Sequence, residues 1–133
     1  MLDLRFIRAN PDLVKEGARR KRASVDIDEL LETDREALAL RQRVERLRAR
    51  QGEVSRSVPK ASGDERVALI ADGRRLGDEI RALESPLKEL DQKVESLLLR
   101  VPNVPSADVP EGVNEDDNVP VKHVGTPRTF DFT

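Results

Sequence analysis

Cysteine, tryptophan and tyrosine are missing from the 133 residues, and methionine and histidine occur once each. Without cysteine there is no disulfide framework, no thiolate metal site and no cysteine nucleophile, which is compatible with a reducing compartment. Aromatics are confined to Phe6, Phe130 and Phe132, so residues 7–129 offer no stacking platform for single-stranded bases. Any nucleic acid held by this chain must be recognised through backbone, sugar and overall shape. Long apolar runs are also missing, and Asp3, Arg5, Arg8, Asp12 and Lys15 punctuate the first twenty residues. Neither a membrane span nor a signal peptide is expected, and the expected setting is the cytoplasm.

The machinery of catalysis is equally sparse. The single His123 lies beside Lys122 with no second histidine to complete a metal site. Glu115-Asp116-Asp117 is the one dense carboxylate cluster, and its simplest reading is an exposed acidic turn, set against a divalent-ion site. Glycine-rich phosphate loops do not occur. No catalytic residue and no metal ligand is therefore assigned, and no cofactor is expected for this chain alone.

Charge is what the chain has in abundance. Charged residues make up 38% and apolar residues 37%, too little apolar surface for a thick core but enough for a thin one between two helices. The net charge of −2 conceals a polarity along the chain. Residues 35–60 carry eight basic against three acidic residues, and residues 101–133 carry two basic against six acidic ones. The first stretch can attract a polyanion although the whole chain is weakly acidic.

Asn10-Pro11 predicts a helix start, with Asn10 as N-cap and Pro11 in the first turn. A helix over about 11–21 would group Leu13, Val14, Gly17 and Ala18 and end in Arg19, Arg20, Lys21 and Arg22. That basic end suits a helix C-terminus as a solvated cap, with RNA contact as the alternative. Asp26 followed by Glu29 predicts a second start of capping-box type. From there a coiled-coil period runs through Leu30, Thr33, Ala37, Leu40, Val44, Leu47, Gln51, Val54 and Val58. Pro59 and Gly63 interrupt it. It resumes through Leu69, Gly73, Leu76, Ile80, Leu83, Leu87, Leu90, Val94, Leu97 and Val101.

Two such seams joined by a short turn must fold back on each other, since neither buries its stripe alone. The expected fold class is all-α: a long antiparallel coiled-coil helical hairpin with a short N-terminal helix and an extended C-terminal linker. The first arm covers about 27–58, the turn 59–64 and the second arm about 65–100. Residues 1–105 form the helical arm, and the Pro-studded 106–133 a linker expected to fray in solution, where Phe130 and Phe132 would seek a packing partner. Arms of some thirty residues reach roughly 45 Å, a lever with no substrate cavity. Gly52, Gly73 and Gly77 predict a mobile tip, and Pro86 a bend without a break in the second arm.

The heptad register sorts the arginines. Arg43 with Glu79 and Arg50 with Asp72 face each other at g positions, and Arg41 can reach Glu84 at e. Arg46, Arg48, Arg56 and Lys60 have no acidic mate in that register; Arg48 falls opposite Gly77. These four are the candidate RNA-phosphate contacts, with a merely solvated face as the alternative.

The opening Met1-Leu2-Asp3-Leu4-Arg5-Phe6-Ile7-Arg8-Ala9-Asn10-Pro11-Asp12, the start Asp26-Ile27-Asp28-Glu29-Leu30-Leu31 and the exit Leu97-Leu98-Leu99-Arg100-Val101-Pro102-Asn103-Val104-Pro105 resemble the N-terminal arm of bacterial seryl-tRNA synthetase. Val109-Pro110, Gly112, Glu115-Asp116-Asp117-Asn118 and Gly125-Thr126-Pro127-Arg128 with Phe130-Asp131-Phe132 extend the likeness over essentially the whole chain. The resemblance implies a coiled-coil lever that binds serine tRNA across its elbow and long variable arm, by shape and phosphate contact. It implies a full-length parent that is a homodimeric ATP-dependent serine–tRNA ligase, using magnesium in a class II catalytic domain absent from these residues. The linker would lead toward that domain, and the isolated arm would be a monomer. Three positions depart from the family pattern: Gln51-Gly52 in place of an Arg-Asn pair, Thr33 in place of Leu, and Pro120 within a usual short strand. A coiled-coil protein-interaction module without RNA binding is the alternative function.

Overall fold

The structure is a computed structural model and describes residues 2–131. Its elements are helices α1 (Leu4–Ala9), α2 (Pro11–Arg20), α3 (Ile27–Ser57) and α4 (Gly63–Leu98), with 3-10 turns at Val58–Lys60 and Glu115–Asp117. No strand occurs among the described residues. The long α3 and α4 pack on each other as an antiparallel hairpin, the all-α architecture that the two seams dictate. Every seam position of both arms is buried or half-buried.

Helix starts follow local chemistry. Asp26 accepts the backbone N–H groups of Asp28 at 2.9 Å and Glu29 at 3.0 Å, satisfying two donors that have no partner inside the helix. Glu29 does not reach back to complete the box, because its carboxylate is 2.7 Å from Lys93 of the other arm. The Asn10 expectation needs correcting. Residues 4–9 form α1, started by Asp3 accepting from Arg5 N–H at 3.1 Å, and Asn10 is the hinge between α1 and α2. Its side chain does not cap α2; its Nδ2 donates to the Phe6 carbonyl at 3.0 Å. Leu13, grouped with the buried side by its spacing, is instead 48% exposed, while Val14 and Ala18 are buried.

At the foot of the hairpin, Ile7, Val14, Ile27, Leu30, Ala37, Val94, Leu97 and Val101 form one buried cluster. Ile7 and Leu30 are wholly inaccessible, and each such side chain is worth about 1.5–3 kcal/mol by burial. The exit segment closes this foot from outside: a Cβ on Gly17 would stand 3.3 Å from the Val104 Cα. Glycine lets the segment lie this near α2, whereas a Cβ would require it to give by a few tenths of an ångström.

The second arm runs unbroken through Pro86. Proline leaves the Ala82 carbonyl without its helical donor, but flanking Leu83, Leu87 and Leu90 remain half-buried in the seam and keep the register. Beyond Asn103 the tail has neither α-helix nor strand among the described residues; it carries a turn at 107–108, closed by Val109 N–H donating to the Ser106 carbonyl at 3.2 Å, and the 3-10 turn at Glu115–Asp117. That turn is held by Asp117 accepting from Val113 N–H at 2.6 Å. Phe130 is 65% exposed; Phe132 lies outside the described residues. No helix among the described residues is long and apolar enough to cross a membrane.

Candidate nucleic-acid interface

The hairpin's cations fall into those that lace the two arms and those that do not. On the g flank, Arg43 lies 2.7 Å from Glu79, Arg50 lies 3.6 Å from Asp72, and Lys93 lies 2.7 Å from Glu29. The first two are the pairs the register calls for. Asp72 is also held by Arg75 of its own helix, whose donated hydrogen bond keeps the Asp72 carboxyl below its ordinary range. The hydrogen bond to Glu29 likewise holds the Lys93 ammonium above its ordinary value.

The e flank corrects the sequence reading. Arg41 pairs with Asp91 at 2.6 Å, not with Glu84, and Arg48 pairs with Glu84 at 3.0 Å. A g residue precedes its seam residue by one step and an e residue follows its own by one step. The two flanks are therefore offset in opposite directions, and a register carried from g to e slips by a heptad. Arg48 has the acidic mate that it was expected to lack, and Ser55 is the residue set opposite Gly77.

The other three candidates stand as expected in one respect. Arg46, Arg56 and Lys60 are exposed, and among the described residues none makes an ion pair or side-chain hydrogen bond. Lys60 sits in the 3-10 turn at the tip. The structure does not gather the four into one place: Arg48 borders a recess on the e flank, and Arg46, Arg56 and Lys60 do not.

That recess is the feature the sequence reading missed. It is an open hollow of about 790 Å³ bordered by Gln51, Ser55, Gly73, Arg74, Gly77 and Arg81. It exists because its e-position pair is Ser55 and Gly77, neither long enough to bridge the arms. Gln51 Nε2 donates to the Gly73 carbonyl at 3.2 Å, a polar tie inside the seam. The available signal was the glycine pair at 73 and 77, which marks missing side chains.

At the α2 end, Arg19 is engaged by Glu16 at 2.7 Å and by Glu111 at 3.0 Å. Arg20 lies 3.5 Å from Glu111 and donates to the Val109 carbonyl. The acidic tail thus occupies two of the four terminal cations. At the foot, Arg8 makes a two-pronged bond to Asp34, Nε to Oδ2 at 2.7 Å and Nη2 to Oδ1 at 2.8 Å. That pair fastens α1 to α3, and it raises the Arg8 guanidinium further.

Among the described residues no group of three or more His, Asp or Glu could hold a metal.

A long two-helix arm on a small helical foot, cationic and open toward its tip, defines a coiled-coil lever domain. The chain belongs to the seryl-tRNA synthetase N-terminal domain family, whose model matches residues 1–105. It is 47% identical over 133 residues to a serine–tRNA ligase of Deinococcus radiodurans, covering 100% of this chain and 31% of that protein. A serine–tRNA ligase of Thermomicrobium roseum is 45% identical, with 99% of this chain and 30% of that protein covered. Among solved structures, the seryl-tRNA synthetase of Pyrococcus horikoshii complexed with ATP superposes with a TM-score of 0.74 at 33% identity, over 91% of this chain and 28% of that one. The chain spans about a third of the length of the relatives it matches.

Proposed function

We propose that this chain is the tRNA-binding arm of a serine–tRNA ligase. The observation that carries this reading is a family-specific lever whose tip half bears exposed cations, Arg46, Arg56 and Lys60, with no carboxylate to satisfy them. Phosphate contacts from such cations position an RNA without reading its bases, and the missing aromatics favour recognition by shape. The ligand is serine tRNA, whose long variable arm offers a helical backbone to a lever of this reach. Arg48 joins the set by exchanging Glu84 for a phosphate.

The full-length parent attaches serine to its tRNA with ATP and magnesium, in a class II catalytic domain beyond the linker 106–133. It acts in the cytoplasm as a homodimer held by that domain, and residues 1–105 act alone as a monomeric arm. In this reading the arm does no chemistry; it raises the effective concentration of the acceptor end at a distant active site.

The test is fluorescence anisotropy of this chain with two labelled tRNAs, one with a long and one with a short variable arm, at low and near-physiological salt. Preference for the long arm that survives the higher salt is expected. Binding that is equal for both and vanishes with salt means that discrimination lies elsewhere in the parent. Self-association without any RNA affinity would replace this reading with a protein-interaction coiled coil.

A further inference from the structure

The two flanks of the tip are not equivalent. On the g flank, an approaching phosphate meets arginines already tied to Glu79 and Asp72, and Asp72 holds two of them at once. On the e flank it meets the recess, whose lining sets Arg48, Arg74 and Arg81 against the carboxylates Asp78 and Glu84, and where Arg74 is exposed and makes no ion pair among the described residues. Arg81 is tied only to Asp78 of its own helix, with side chains 75% and 68% exposed. Arg48 and Glu84 are 60% and 52% exposed. Pairs so open to water hold their partners weakly, so a guanidinium can turn its fork to a phosphate at little cost.

Resting on the reading of the arm as RNA-binding, we infer that the sugar-phosphate backbone of the RNA seats in this recess, with Arg74 as its principal phosphate contact and Arg81 and Arg48 beside it. The second arm contributes no side chain to the floor at Gly73 and Gly77, so the floor is made by the Gln51 and Val54 side chains of the first arm beside the helix backbone, and the hollow stays open above them. A Cβ on Gly77 would stand 3.0 Å from Gln51 Nε2, the end of a flexible side chain that would have to shift, whereas one on Gly73 would meet Val54 Cγ1 at 3.6 Å. Ser55 offers a hydroxyl at the rim for a ribose or phosphate oxygen. The second arm therefore supplies the leading contact, and Arg46 and Arg56 of the first arm make the weaker, outlying phosphate contacts.

Two double variants of equal charge change separate these roles: Arg74→Glu with Arg81→Glu, and Arg46→Glu with Arg56→Glu. Each is titrated against the long-variable-arm tRNA near physiological salt, with far-UV circular dichroism to confirm that the hairpin is intact. The first pair is expected to weaken binding about tenfold or more and the second less than about threefold. Equal losses, or a greater loss from the second pair, overturn the recess while leaving the RNA-binding reading in place. Absence of binding by the unsubstituted chain overturns that reading and the recess with it.

Discussion

At its foot the hairpin is sealed by buried Leu30, Ala37, Val94 and Leu97 and covered by Ile7 and Val14 of the two short helices. Toward its tip the seam thins to half-buried Gln51, Val54, Leu69 and Gly73, with a recess where side chains are missing. The same heptad logic runs through both ends, so the difference comes from what fills the positions and from a third layer that only the foot possesses. The proposed role as an RNA-binding lever would use this asymmetry, with one end fixing its direction and the other meeting the RNA. Stability should therefore be concentrated where α1 and α2 pack, and truncations of equal size should cost unequal amounts.

The sharpest way to break that comparison is to delete apolar volume at each end. Leu30→Ala at the fully buried foot is expected to cost about 2–5 kcal/mol of unfolding free energy, the range for a buried leucine whose cavity cannot collapse. Val54→Ala at the half-buried tip is expected to cost about 1 kcal/mol or less, because its surroundings are already open. Urea denaturation of both variants checks this. Equal losses would mean that the hairpin is uniformly cooperative and that the foot has no special role.

Much of this contrast is legible in the sequence, for reasons that differ by element. The two seams declare themselves because period, turn and cap are all local signals, and Arg43–Glu79 and Arg50–Asp72 follow from them. Helix α1 is not legible: six residues cannot hold a helix by propensity, and this one depends on the Asp3 cap and on Ile7 docking in a core assembled from distant residues. Nor is the Arg8–Asp34 bond, since its partners are 26 positions apart and lie on different elements. The Arg48 error has a geometric origin, one flank's offset having been carried to the other. The recess escaped because a hollow is made of absent side chains, and glycine at 77 gains meaning only once Ser55 is known to face it.

The Arg8–Asp34 bond sharpens the comparison next. Asp34→Asn keeps the shape but removes the charge that receives both guanidinium bonds. Asp34 is 11% exposed at its side chain and Arg8 is 43% exposed, so water screens part of the interaction, and a loss of about 1 kcal/mol is expected. Hydrogen exchange should locate the change in residues 3–20. Faster exchange at the tip instead would show that the foot and tip are coupled.

Filling the tip should act in the opposite direction. A Cβ at Gly73 would meet Val54 Cγ1 at 3.6 Å, an ordinary contact, so Gly73→Ala should stabilise the arm by about 0.5–1 kcal/mol through helix propensity alone. Amides near 50–75 are expected to exchange faster than those at 30–45 in the unsubstituted chain, and Gly73→Ala should narrow the gap. A variant that melts lower than the parent would show that the bond from Gln51 to the Gly73 carbonyl tolerates no neighbour.

The smallest effect lies in the pH dependence of the g flank. The bond from Arg75 holds the Asp72 carboxyl below its ordinary value of 3.8. Its contribution is therefore complete above the ordinary carboxylate range and is lost as pH falls through the depressed value. Lys93, raised above 10.5 by Glu29, contributes fully below that value and loses its share as pH rises through the raised one. Between these limits both pairs should leave stability flat. Asp72→Asn should melt slightly lower than the parent at neutral pH, by a margin that shrinks with added salt because the pair faces water. As pH falls through the depressed value, Asp72 becomes neutral in the parent as well, and the two melting curves should converge. A gap that persists unchanged to the acid end would mean that Asp72 acts by shape and not by charge, leaving Arg43–Glu79 and Lys93–Glu29 as the ionic ties of that flank.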